Sequence, residues 1–175
     1  MSFMHTTHHK AGFTLTELLT VIIIIAILTG LVSGSYKKAV ERSRFSDGLM
    51  AAAHVMSAVE RYYADAPDAT DATRPFFNKL DISFPNQKAC TVTTNANYCI
   101  KTKYFETTIY NGYVDAVRKK GSVTGDYTVR VYSTEFGANV QTPPVCIFAN
   151  TSGKDLCISM GYSSCNAVTA ICSKS

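Results

Sequence analysis

The sequence predicts an α+β fold: one long N-terminal helix packed on an antiparallel sheet, followed by a cysteine-rich end. Three observations carry this expectation. No proline occurs between Phe13 and Ala66, and an apolar run passes into an amphipathic one within that span. Two β-branched and aromatic stretches follow in the second half. All six cysteines lie in that second half as well.

The chain has 175 residues, the size of one modest domain with a terminal appendage. The charged fraction, 17%, is low, and the formal net charge of +4 makes no strong claim on nucleic acid. From Phe13 to Val32 the only charged residue is Glu17. Twenty helical residues reach about 30 Å, the thickness of a bilayer core. A carboxylate in such a segment costs about 2.5–3.5 kcal/mol on insertion scales, less near the edge, and such groups have a function or a partner. A cleaved secretory signal places its small residues after the apolar run. Here Ala11-Gly12 precedes it. Lys37, Lys38, Arg42 and Arg44 follow the run, against one leader cation, Lys10, so loop charges alone predict the opposite orientation.

Beyond Tyr36 the spacing of Phe45, Leu49, Ala52, Met56, Val59 and Tyr63 places them on one helical face, with Glu41, Arg42, Asp47, Glu60 and Arg61 on much of the remainder. The helix is expected from about Thr14 to Ala64, its first half membrane-embedded and its second under a globular head. Gly30, Ser33, Gly34 and Ser35 make the stretch 30–35 a weak point, since glycine costs about 1 kcal/mol against alanine in a helix interior. It either loosens in an assembly or is held by packing. Asp65-Ala66-Pro67-Asp68-Ala69-Thr70-Asp71 ends the helix in a loop. Its aspartates lack the distal Glu of a calcium loop. Irregular structure is expected through Asn97. One strand is read in Thr107–Val117 and another in Tyr127–Tyr132, joined by a hairpin loop at Lys119–Asp126. A third follows at Val145–Phe148.

The cysteines, Cys90, Cys99, Cys146, Cys157, Cys165 and Cys172, include no CxxC pair, and no histidine lies in their half. Disulfides formed outside the cytoplasm are expected, and no metal site. Six cysteines allow about fifteen pairings. Pairing between sequence neighbours, Cys90 with Cys99, Cys146 with Cys157 and Cys165 with Cys172, is the expectation.

The stretch Gly12-Phe13-Thr14-Leu15-Thr16-Glu17-Leu18 resembles the processing site of type IV prepilins and pseudopilins, a likeness that extends from about Ala11 to Tyr36. The resemblance implies a leader, 1–12, cut between Gly12 and Phe13 by a prepilin peptidase that also methylates Phe13. It implies a hydrophobic membrane and fibre-core helix, 13–35, and a head, 36–175. The head comprises an amphipathic half-helix to about 64, a loop at about 65–100, and a sheet with a disulfide-bounded C-terminal region at about 101–175, the type IV pilin fold. Glu17 then occupies the family glutamate position, expected to pair with the α-amine of Phe13 in a neighbouring subunit and to set assembly register. Gly34 stands near where many members carry proline. The partners implied are further copies of the chain, the inner membrane, the prepilin peptidase, and an assembly platform with its ATPase.

The sequence carries no GxSxG, P-loop or HExxH pattern, so no catalytic residue and no cofactor is expected. His54 reads as an ordinary helix residue. Lys101, Lys103, Arg118, Lys119 and Lys120 with Tyr104 and Tyr110 are a candidate basic patch for DNA, weighed against an ordinary solvated face. Asn150-Thr151-Ser152 matches a glycosylation sequon. A structural subunit of a type IV pilus, for adhesion, motility or DNA uptake, is the leading expectation. The alternatives are a pseudopilin of a type II secretion system, or a minor pilin whose head binds DNA or a surface.

Overall fold

A computed structural model of the chain describes residues 13–65, 75–90, 96–120, 123–135 and 142–174, with the side chains of 31–33, 96, 123 and 124 left aside. The cleavage-side residue Gly12, the proline of the expected helix-ending loop and the tip of the hairpin loop at 121–122 lie outside those residues. The chain divides into two units, to Ala39 and from Val40 onward.

The first helix, α1, runs Leu15–Asp65, close to the expected bounds. Its backbone is helical through Gly30–Ser35. A Cβ built at Gly30 or Gly34 meets nothing within 4 Å, so no contact inside the chain requires glycine there.

In the second unit the head is an antiparallel sheet of eight strands among the described residues, in the order β1-β2-β3-β4-β5-β6-β8-β7. The strands are β1 (Lys88–Ala89), β2 (Cys99–Lys101), β3 (Phe105–Tyr110), β4 (Tyr113–Lys120), β5 (Val123–Tyr132), β6 (Val145–Phe148), β7 (Ser164–Asn166) and β8 (Ile171–Ser173). A short helix, α2 (Thr151–Ser159), lies between β6 and β7.

Thr107–Val117, expected as one strand, is parts of two. Asn111-Gly112 turns the chain so that Tyr110 faces Tyr113 across β3 and β4. Gly112 takes φ 80°, which glycine adopts without a Cβ clash. The following loop is also shorter than expected, because β4 continues to Lys120 and β5 starts at Val123, with a register irregularity between Val117 and Lys119. Here strand pairing extends into residues whose glycine and charge content reads as loop.

Alternation along β3, β4 and β5 turns Phe105, Thr107, Ile109, Val114, Ala116, Tyr127, Val129 and Val131 inward, and all are buried. The α1 stripe meets them. Phe45, Ala52, Val55, Met56, Ala58 and Val59 are buried, and Leu49 and Tyr63 pack at the margin. Phe45 lies 5.4 Å from the Tyr127 ring and 5.6 Å from that of Tyr162. Gly48 makes the close approach possible, since a Cβ there would sit 2.6 Å from the Phe105 ring.

Asn150 caps α2, its side chain accepting from Gly153 N at 2.9 Å. A Cβ at Gly153 would lie 1.9 Å from the Asp126 carbonyl oxygen, so the helix can lie against β5 only with glycine at that place. Three disulfides join sequence neighbours: Cys90–Cys99, Cys146–Cys157 and Cys165–Cys172. The first staples the β1 edge of the sheet, the last joins facing residues of β7 and β8 at the other edge, and the second ties α2 to β6. Short, stapled edge strands blunt the tendency of a sheet to recruit further strands.

Gly48→Ala forces a methyl group into the Phe105 ring, and overpacking of this kind costs about 1–3 kcal/mol. Gly153→Ala meets backbone rather than a side chain and is expected to cost more. Thermal melts of the purified chain should rank wild type above Gly48→Ala and Gly48→Ala above Gly153→Ala.

Candidate functional site

The described chain begins at Phe13, whose ring is exposed. Thr14 and Glu17 then form a reciprocal pair. The Thr14 backbone N–H and the Thr14 hydroxyl each donate to Glu17 Oε2 at 2.8 Å. The Glu17 N–H in turn donates to Thr14 Oγ1 at 3.3 Å. This is a capping box, in which residues three apart satisfy backbone donors that the first helical turn leaves open. Glu17 therefore has a local partner. The T-x-x-E spacing at Thr14-Leu15-Thr16-Glu17 is the sequence signal of this box. Both Thr14 bonds fall on Oε2, and a carboxylate's other oxygen can accept a second donor. Negative charge in the first turn also suits the positive end of the helix dipole.

Beyond the box the helix presents apolar side chains outward. Leu18, Leu19, Val21, Ile22, Ile23, Ile24, Ile25, Ile27 and Leu28 are all exposed. The hydroxyls in this stretch are turned back onto the helix. Thr20 Oγ1 donates to Thr16 O at 2.8 Å, and Thr29 Oγ1 to Ile25 O at 2.7 Å. Such bonds let threonine sit in an apolar surrounding with its donor satisfied. Among the described residues no single helix is long and apolar enough to cross a membrane. The pair Leu15–Gly30 and Gly34–Asp65 passes together, by length and composition only.

The candidate basic patch is largely engaged elsewhere. Arg118 is 3% exposed and faces the helix. Its Nε and one terminal nitrogen donate to the two oxygens of Glu41, at 3.1 and 3.0 Å. Its other terminal nitrogen donates to the carbonyls of Tyr104, at 3.3 Å, and Lys119. Arg44, one turn along α1, shares Glu41 and lies 4.5 Å from the Tyr104 ring. Lys119 pairs with Glu106 at 3.3 Å and Lys120 with Asp126 at 2.5 Å. Of the other two expected cations, Lys101 is half-buried and Lys103 is exposed, its ammonium 5.1 Å from the Tyr104 ring centroid. Arg118 is a structural link, 77 residues from its partner.

The other sequence candidates also fall into structural places. His54 is an exposed helix residue. Cys90, Cys99 and Glu106 come together closely enough to suggest a metal, but the two sulfurs are joined and offer no thiolate. The amide nitrogen of Asn150 donates to Asp126 Oδ1 at 2.8 Å while its oxygen caps α2, so the sequon's acceptor group is already in use.

Residues 7–33 match the family model of the prokaryotic N-terminal methylation motif. By that match the chain carries the N-terminus of a type IV pilin- or pseudopilin-type prepilin. The N-terminal helix, antiparallel sheet and C-terminal disulfides are consistent with the type IV pilin fold. The motif implies processing by a prepilin peptidase, an inner-membrane precursor and pilus assembly in general. No curated protein and no solved structure matches significantly.

The Glu41–Arg118 link has a pH signature. Burial raises the Glu41 carboxyl, but hydrogen bonds and attraction from Arg118 and Arg44 outweigh it and hold the group below its ordinary 4.5. A carboxyl depressed in the folded state adds stability above pH 4.5 that is lost as pH falls through the folded value. Glu41→Gln should therefore lower the melting temperature at neutral pH, and the gap to wild type should narrow as melts are run at progressively lower pH beneath 4.5.

Proposed function

We propose that the chain is the major structural subunit of a type IV pilus. It is held in the inner membrane as a precursor, cut between Gly12 and Phe13, methylated at Phe13, and polymerised through its N-terminal helix into an extracellular filament for adhesion, motility or DNA uptake. The observation that carries this reading is the exposed apolar surface of Leu18–Leu28, within the residues that match the methylation motif. Exposed apolar surface of this extent is covered by lipid or by other chains. Packing such helices in a fibre core removes it from water, at about 25 cal/mol per Å² of apolar surface. Lipid already covers much of it, so the gain on leaving the bilayer is smaller. The disulfides support a head that works outside the cytoplasm.

In this reading Glu17 has two tasks. It caps its own helix through Thr14, and its charge answers the Phe13 α-amine of a neighbouring subunit, setting the axial register. Low dielectric strengthens that attraction while desolvation offsets part of it. A pseudopilin of a type II secretion system would share this N-terminus. It would reveal itself by lost secretion on deletion, with surface fibres unaffected.

Mass spectrometry of sheared surface filaments should find this chain in bulk, beginning at methylated Phe13. Its absence would sink the major-subunit reading. Glu17→Gln keeps a side chain able to close the capping box but removes the charge. Membrane insertion and cleavage should survive both Glu17→Gln and Glu17→Ala, while fibre yield falls sharply in both. Normal fibres from Glu17→Gln would reduce Glu17 to a cap.

A further inference from the structure

We infer that a groove at the β1 edge of the head is a binding site for an acidic saccharide. The groove lies between the turn at Phe77–Lys79 and strands β1 and β2, and has a volume of about 540 Å³. That is within the range of small-ligand sites, roughly 300–1,000 Å³. Its lining combines aromatic rings, Phe76 and Phe77, with three primary amides, Asn78, Gln87 and Asn97, and one ammonium, Lys88.

Each group suits a different part of a sugar ring carrying a carboxylate. Phe76 is 40% exposed yet held against Tyr98 at 5.0 Å between centroids, so its ring is both positioned and accessible. The C–H face of a pyranose packs on such a ring. Amides both donate and accept, which matches neighbouring hydroxyls. Gln87 is fixed at the wall, its oxygen accepting from Phe84 N–H at 2.8 Å. The Cys90–Cys99 disulfide holds Cys99 in the lining.

The charge of the ligand follows from the strand register. Lys88 stands directly opposite Lys101 across β1 and β2. Like charges in that relation repel. Lys101 faces Glu106 on its other side, but Glu106 also pairs with Lys119. Among the described residues, register and side-chain reach gather three cations, Lys88, Lys101 and Lys119, around one carboxylate, Glu106, and an anion beside Lys88 adds a second negative charge. A nucleic-acid strand would need a longer cationic track, and Arg118, Lys119 and Lys120, which could have extended one, are bound to carboxylates. A carboxylate on a sugar meets the single groove ammonium with a charge-assisted bond.

The test uses the full-length chain in detergent micelles and saturation-transfer-difference NMR. The probes are trigalacturonate, the neutral trisaccharide maltotriose, and a short oligothymidine. Trigalacturonate should give transfer, weakened by salt, and maltotriose and oligothymidine should not. Lys88→Ala should weaken trigalacturonate binding about tenfold and Lys88→Arg should restore it. Phe76→Ala should remove transfer to the ring C–H protons. Because Lys88→Ala relieves the pair with Lys101, its melting temperature should equal or exceed that of wild type, which separates lost binding from lost folding. No transfer from trigalacturonate, equal transfer from maltotriose, or preference for oligothymidine would overturn the assignment.

Discussion

The head depends on how closely α1 lies on the sheet. Phe45, Ala52, Val55, Met56 and Val59 enter the same core as Phe105, Ile109, Val114, Tyr127 and Val129. Gly48 is the position that sets the distance, since the Phe105 ring occupies the space a side chain would fill. With that contact in place, the Tyr162 ring packs on Phe45, and the Cys146–Cys157 disulfide ties α2 to β6. Interiors packed at crystalline density transmit any change in such a spacing to every neighbour.

Polar links then define how the helix is placed along the sheet. Arg118 reaches Glu41 at the start of the head helix. Toward its end, Glu60 Oε1 accepts from the Ser133 hydroxyl and from the backbone and hydroxyl of Thr134, at 3.0, 2.7 and 2.9 Å. Arg61 adds an exposed pair with Asp81, which ties in the chain after the loop. Apolar packing is tolerant of sliding by comparison, whereas a buried arginine without its carboxylate is costly. Glu41 and Glu60 thus act as two fixed points on one helix.

The N-terminal unit follows a different logic. Among its described residues no side chain is buried, and their order comes from the helix backbone, the Thr14–Glu17 box and threonine hydroxyls folded back on carbonyls. All three devices satisfy polar groups locally, so the outward surface can be apolar. Such a segment suits lipid and helix-lined surroundings alike. The head has the opposite character, with its apolar surface inside and its sheet edges closed by disulfides.

The sequence by itself determined the features that neighbours along the chain decide. The 3-and-4 spacing from Phe45 to Tyr63 marks the buried helical face, the T-x-x-E at Thr14–Glu17 marks the cap, and β-branched runs mark β3 to β6. Asn111-Gly112 was equally legible as a turn, but the β-branched composition on both sides masked it. Only the tertiary structure decided the rest. Arg118 reads as a surface cation until a carboxylate 77 residues away buries it. Lys88 and Lys101 become a repelling pair only through strand register. α2, with a glycine in its interior, is held by its cap, its disulfide and its fit against Asp126 rather than by propensity. Propensity and periodicity act over a few residues, while burial, charge pairing and groove shape arise where distant segments meet, and only folding brings those together.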